Sequence, residues 1–322
     1  MHTVTQPFNT AVFPGQGSQR RGMAMDFVDS CREAKAVFEA AADALSFDVE
    51  SICRDDDARL NLTEFTQPCI LAAEIASFVA LKINYGFSPT YFAGHSLGEY
   101  AALVAAGAIP LSTALRLVHL RGSLMQRAVP IGKGAMAALI MNPLPLAEIR
   151  EIANAEELDI ANDNSPEQIV LSGTNDALDR VLVHLVPWET KGLRVVRLTV
   201  SAPFHSRQMK SIEEEFRSAL LKASDGIDGA KAQRVLSNWT GTFHSGDTTE
   251  LIDALTRQVS GTVRWRENME TIKQTIECGS VLEIGPDRPL RGFFKAAGVN
   301  ITSVVDVRTA QRAFRTGTEL AS

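Results

Sequence analysis

Residues 90–108 read TYFAGHSLGEYAALVAAGA. Residues suited to a buried strand end at Gly94-His95-Ser96-Leu97-Gly98, and small helix-forming residues follow at once. A strand that passes through one sharp turn into a helix is the unit of an α/β fold with a parallel sheet. The same pattern opens the chain. Residues 10–13 (TAVF) read as a short buried strand stopped by Pro14 and a Gly-rich turn. Helical periodicity then covers about 25–45. A second helix is expected over 67–82, with Pro68 in its first turn. A third is expected over about 112–129.

The middle of the chain has its own pattern. AMAALIM reads as a strand, PLAEIREIANA as a helix, LDIAND and QIVLSG as strands, NDALDRVLVHLV as a helix capped by Asn175, and LRVVRLTV as a strand. That order, β-α-β-β-α-β, predicts a small ferredoxin-like domain. IGKGA and SAPFH bound it, so the expected organisation is a small domain at 131–200 inserted into a discontinuous catalytic domain, 1–130 and 201–322. The second part should hold a helix over about 206–222, a strand RVLSN, helices over about 249–260 and 269–277, and strands SVLEI and ITSVVDV. Alternating strands and helices on both sides of the insert predict a mostly parallel sheet covered on both faces.

A chain of 322 residues, 45% hydrophobic and 22% charged, has the size and composition for that core. A net charge of -6 without a Lys/Arg block argues against nucleic acid as partner. The cysteines, Cys31, Cys53, Cys69 and Cys278, are far apart and form no CxxC pair. No metal and no disulfide framework is expected; buried reduced thiols in a cytoplasmic protein are. The N-terminus lacks a secretory pattern, and no uninterrupted apolar run approaches the ~18–20 residues of a membrane span.

Gly-x-Ser-x-Gly alone is a weak signal, matching by chance in roughly one chain in ten of this length. Its context strengthens it, because a nucleophile elbow needs a strand, a sharp turn and a helix in that order. The helix dipole and the Leu97 N–H would then face the Ser96 oxygen. A serine needs a base. Of the six histidines, His2 is terminal, His119 and His184 lie in helical patterns, and His244 lies in a polar turn-like stretch. His95 adjoins Ser96 but points the other way along a strand. His205, after Pro203 at a strand end, is the candidate base. No Asp or Glu presents itself as a third member.

FPGQGSQ, TQP, GHSLGEY, RGSLMQ, GAMAAL, ANDNSPEQIVLSG, SAPFHS and EIGP occur in this order between residues 10 and 294. The set resembles the malonyl-CoA:acyl-carrier-protein transacylases, both the fatty-acid enzymes and the free-standing acyltransferases that serve polyketide synthases. The resemblance implies an α/β-hydrolase-like core with a ferredoxin-like insert. It implies a ping-pong reaction in which Ser96 takes a malonyl group from malonyl-CoA and the phosphopantetheine thiol of an acyl carrier protein collects it. Further carry-over makes His205 the base, and makes the backbone N–H groups of Gln16 and Leu97 the oxyanion donors. Arg121 would pair with the malonyl carboxylate, where a planar guanidinium offers two charge-assisted bonds that lysine cannot copy. Gln258 would mark the backbone carbonyl that orients the histidine in place of an acid. Gln67 and Asn162 would lie near the substrate, and Met125 and Phe204 would line the acyl pocket. No cofactor, nucleic acid or membrane is called for. An acidic carrier protein could meet basic residues such as Arg207, Lys210 and Arg291. An acyl hydrolase that strips stalled carriers, a transacylase for another acyl group, and a non-catalytic carrier-binding scaffold stand as alternatives.

Overall fold

The computed structural model describes residues 8–130, 132–200, 202–275 and 280–319. The chain begins with β1 (Phe8–Phe13), then α1 (Met25–Ser30), α2 (Arg32–Leu45), α3 (Val49–Arg54) and α4 (Thr63–Tyr85). β2 (Tyr91–Gly94) leads through the serine turn into α5 (Gly98–Ala105), and α6 (Leu111–Ala128) follows. The middle segment runs β3 (Gly134–Ile140), α7 (Leu146–Ala155), β4 (Asp159–Ser165), β5 (Gln168–Thr174), α8 (Asn175–Glu189) and β6 (Arg194–Arg197). A 3-10 turn at Arg207–Ile212 precedes α9 (Glu213–Lys222), α10 (Gly229–Ala232), α11 (Thr248–Gln258) and α12 (Trp265–Thr275). The chain closes with β7 (Ser280–Ile284), α13 (Leu290–Ala296), β8 (Ile301–Val304) and α14 (Val307–Glu319).

The first sheet is parallel in the order β2-β1-β7-β8, and the second is antiparallel in the order β4-β5-β3-β6. The α/β class and the mostly parallel main sheet are those expected. β1 reads as an unbroken apolar run because both of its faces are covered: Ala11 and Phe13 pack into the larger core, and Val12 into a second cluster with Trp265 and Phe294. The antiparallel sheet has its own core, which includes Leu139, Ile149, Leu171 and Leu178.

Several elements depart from expectation for local reasons. The helix expected over 25–45 is two, because Cys31 takes extended backbone between α1 and α2. α4 starts at Thr63, so Pro68 lies inside it and not in its first turn. Proline has no N–H for the carbonyl of Glu64. His119 Nδ1 lies 2.8 Å from that oxygen and supplies the missing donor. Thr174, not Asn175, caps α8, its hydroxyl accepting from the Ala177 N–H. RVLSN forms no strand: Val235 and Leu236 make single bridges to Phe92 and Phe243, and the chain then folds back through a Ser237–Thr242 hydrogen bond of 2.9 Å. The helix expected from 206 opens as the 3-10 turn, and α12 starts earlier than expected, at Trp265. Cys31, Cys53 and Cys69 are buried free thiols, while Cys278 lies outside the described residues. By length and mean composition α4 could cross a membrane, but Gln67, Glu74 and Lys82 interrupt its apolar residues and 83% of its most apolar window is buried in the protein.

Candidate active site

The turn after β2 is held in a strained shape. Ser96 has φ +54°, in the left-handed region that costs a non-glycine residue about 1–2 kcal/mol. Two features hold it there. The Ser96 N–H donates to Asn238 Oδ1 at 2.6 Å, and the same side chain's Nδ2 donates to the Gly94 carbonyl at 2.8 Å. α5 also comes so close to β1 that a Cβ on Gly98 would lie 2.2 Å from the Phe13 carbonyl oxygen. Only glycine fits there, and the close approach fixes where α5 begins. The His95 side chain turns away from Ser96, as the strand alternation predicts, and bonds Asn164 Oδ1 of β4 at 2.8 Å.

His205 also has positive φ, +55°, and is buried. The bend around it is tied by Ser206 Oγ donating to the Pro203 carbonyl (2.6 Å) and by the Arg207 N–H donating to Asp159 (2.7 Å). Its Nε2 lies 2.7 Å from Ser96 Oγ, and its Nδ1 lies 2.8 Å from the Gln258 carbonyl oxygen. A carbonyl only accepts, so this geometry assigns the proton to Nδ1 and leaves Nε2 to accept from the serine. Gln258 ends α11, so the carbonyl belongs to the negative end of a helix. Burial, then the Arg121 cation, push the His205 pKa down to about 3, against the opposing pull of the Gln258 carbonyl.

Arg121 sits on α6 beneath the serine and is 1% exposed. α6 packs tightly on α4 here, where a Cβ on Gly122 would lie 2.5 Å from the Thr63 carbonyl oxygen. The guanidinium donates to Gln67 Oε1 (3.0 Å), Gln258 Oε1 (2.9 Å) and Ser96 Oγ (3.2 Å). Its centre lies 5.7 Å from that of the Tyr100 ring. Three of its five donors are thus engaged, and the buried Nε–H has no acceptor among the described residues. Burial lowers its pKa, which means that a bound anion would stabilise the charge.

Ser96, His205, Arg121, Gln16, Gln67, Met125, Asn162 and Phe204 all line one cavity of about 350 Å³ between the two sheets. Leu97 and Gln258 do not line it; they act from behind it. Gln16 Nε2 donates to Thr63 Oγ1 at 3.2 Å, and Gln67 Nε2 reaches the Met125 sulfur at 3.7 Å. Among the described residues, no protein group accepts from the backbone N–H of Gln16 or Leu97. A hydroxyl nucleophile, a neutral imidazole, Gln16 and a buried cation therefore border one small space, with the unengaged N–H of Leu97 behind it. Such a set can add an oxygen to a carbonyl, hold the resulting oxyanion, and anchor an acidic acyl tail.

Sequence reasoning did not find Glu99, Asn238 or the role of His244. His244 is buried, and its Nε2 lies 3.0 Å from Glu99 Oε1. Met136, Leu198 and Val200, which supply the far wall of the cavity, were also missed. Of the basic residues expected near the cleft, Arg207 is paired with Asp159 at 2.9 Å and Lys210 with Glu213 at 3.7 Å. Arg291 lines a different cavity beside β8.

Known proteins resemble this chain along most of its length. A family model described as acyl transferase domain matches residues 10–290. The malonyl CoA-acyl carrier protein transacylase of Synechocystis sp. is 38% identical over 285 residues, covering 88% of this chain and 92% of that protein. The crystal structure of the malonyl CoA-acyl carrier protein transacylase from Clostridium perfringens superposes with a TM-score of 0.88 at 32% identity, covering 97% of this chain and 98% of that one. A malonyl-transacylase solved in complex with its type II polyketide synthase acyl-carrier protein gives a TM-score of 0.84 at 34% identity, covering 95% and 99%.

Proposed function

The chain belongs to the acyl transferase family, and from that premise we propose that it moves a malonyl group from malonyl-CoA to the phosphopantetheine thiol of an acyl carrier protein. The observation that carries the malonyl assignment is the buried Arg121, within 3.2 Å of the serine oxygen and with donors to spare. A site for uncharged acyl groups has no use for a buried cation there.

The reaction runs in two halves. Ser96 Oγ adds to the thioester carbonyl while its proton passes to His205 Nε2. The carbonyl oxygen becomes an oxyanion held by the N–H groups of Leu97 and Gln16. Collapse expels the coenzyme A thiolate, which takes the proton from His205, and leaves malonyl-Ser96. In the second half the carrier's thiol gives its proton to His205 and attacks the serine ester. Ser96 then leaves and recovers the proton, and the carrier holds the malonyl thioester. Arg121 binds the malonyl carboxylate in both halves. The Gln258 carbonyl holds the imidazole and stabilises it when charged, in place of a carboxylate. Gln67 positions Arg121; Asn162, Met125 and Phe204 shape the acyl space. No step calls for a metal or cofactor.

In our reading, the main sheet with its helices is an α/β-hydrolase-like core and residues 131–200 are a ferredoxin-like insert. The strand order β4-β5-β3-β6 and the connectivity β-α-β-β-α-β support the second description. Free buried thiols at Cys31, Cys53 and Cys69 accord with work in the cytoplasm.

Intact-mass measurement after incubation with malonyl-CoA tests the function. Wild type should gain one malonyl group that holo carrier protein removes, and Ser96→Ala should gain none. No adduct on wild type would overturn the reading, and discharge to water as fast as to the carrier would make the protein a hydrolase.

A further inference from the structure

The histidine has no acid partner, yet a carboxylate lies one residue beyond it. Glu99, in the first turn of α5, is 1% exposed. Its Oε2 accepts from Gln258 Nε2 at 2.8 Å and from the Asn238 N–H at 3.0 Å, and its Oε1 faces His244 Nε2 at 3.0 Å. The first two groups can only donate, so the Glu99 oxygen they share carries no proton. Gln258 is the hub. Its Nε2 also donates to the Ser96 carbonyl (2.9 Å), its Oε1 accepts from Arg121, and its backbone carbonyl holds His205. One residue thus touches the nucleophile, the base, the cation and this carboxylate.

The other charges around His205 are already matched. Along the polar groove on its far side, Asp159 pairs with Arg207, Asp163 with Arg266, and Glu267 with Arg264, while Arg150 adds a cation. Arg121 and His95 bear on it from the serine side, and Tyr100 lies against Arg121. Glu99 is the anion there that has no Lys or Arg bonded to it among the described residues; its charge faces Arg121 through a single carboxamide.

We propose that Glu99 is the carboxylate of this site: a buried positioning residue that, through Gln258, balances Arg121 in the resting enzyme and the His205 imidazolium during transfer. The proposal rests on the malonyl-transfer reading. Its two halves have opposite consequences. Removing the charge destabilises the imidazolium and slows attack by Ser96. It also removes the anion that competes with the malonyl carboxylate for Arg121, so malonyl-CoA binds more tightly.

Glu99→Gln tests this with little change of shape. The amide oxygen can accept the two N–H bonds, and a tautomer switch lets His244 accept from the new NH2. The whole chain is assayed in two ways: the rate at which an uncharged aryl fluorophosphonate labels Ser96, and kcat and KM for malonyl-CoA with holo carrier protein. The expected result is labelling slowed about tenfold, the effect of one pKa unit on the base, with kcat and KM both lower. Glu99→Asp, which keeps the charge, should restore the labelling rate. Should Glu99→Gln not fold, His244→Leu carries the test. It strips one donor from a carboxylate that stays charged, so labelling should be no slower and KM for malonyl-CoA higher. Unchanged labelling and KM in a folded Glu99→Gln, or in His244→Leu where it stands in, would overturn the role of Glu99. So would a loss that follows melting temperature and is not restored by aspartate. Failure of the wild-type enzyme to transfer malonyl would instead overturn the underlying function.

Discussion

Arg121→Ala separates recognition of the acyl tail from chemistry at the serine. In the wild-type cavity the guanidinium is 1% exposed, and its buried Nε–H has no acceptor among the described residues. Removing one member of a buried, hydrogen-bonded charge pair costs about 2–5 kcal/mol. At about 1.4 kcal/mol per decade the middle of that range is a 10²–10³-fold loss in kcat/KM for malonyl-CoA. Acetyl-CoA brings no carboxylate, so its turnover escapes that loss. The substitution also removes the cation that holds the His205 pKa down, which favours the base. Acetyl transfer should therefore stay within about tenfold of wild type or rise. Stability shifts little in net terms: Gln67 and Gln258 each lose a donor, at about 1–3 kcal/mol apiece if left dry, while a buried charge disappears. The assay compares kcat/KM for malonyl-CoA and acetyl-CoA with one holo carrier protein, with a thermal melt of each preparation. Equal losses for both substrates, or no loss for malonyl-CoA, would refute the reasoning.

Two further predictions follow from the same geometry. His205 has a folded pKa near 3 and an unfolded one near ~6.5, so the unfolded chain takes up the proton first as pH falls. Its contribution to stability is complete above about pH 6.5 and is lost toward pH 3. His205→Gln should flatten that part of the melting-temperature profile, and acylation of wild type should show no midpoint near 6.5; a midpoint there would contradict the neutral-base assignment. Gly98→Ala would drive a Cβ to 2.2 Å from the Phe13 carbonyl oxygen. The expected destabilisation is about 3 kcal/mol or more, roughly 6–12 °C in Tm, and a variant that melts with wild type would show that the turn is not braced as described.

Much of this was legible because the signals were local. The switch from strand to helix around Ser96 and the β-α-β-β-α-β order each follow from short stretches, whereas Arg121, Gln67, Met125 and Asn162 were reached through the resemblance of the ordered motifs, and Met136, Leu198 and Val200 were not reached at all. What was not legible depended on distance along the chain. Glu99 meets Asn238 and His244, which are 139 and 145 residues away, so nothing near GHSLGEY announced them. His244 read as a turn residue because its neighbours are polar; a carboxylate from another element buries it. RVLSN has a strand's composition, but the chain folds back just beyond Leu236, and that return delivers Asn238 to the serine N–H. Pro68 misled because a histidine on α6 replaces the bond that proline forbids, and a helix start could be inferred only without knowing that partner.

The serine cavity has two kinds of wall. Ser96 and Arg121, with Gln258 behind them, belong to the part built on the parallel sheet. Met136 and Asn162 come from the antiparallel sheet, and Leu198 and Val200 from the chain that leaves it. The second wall holds none of Ser96, His205 and Arg121, whereas Met125 and Phe204 line the cavity from the first. Side chains on the second wall can therefore be exchanged for smaller ones to widen the cavity without touching the hydrogen bonds that link Ser96, His205 and Gln258. A designer who wants room for a bulkier acyl unit has there a wall to rebuild apart from those three residues.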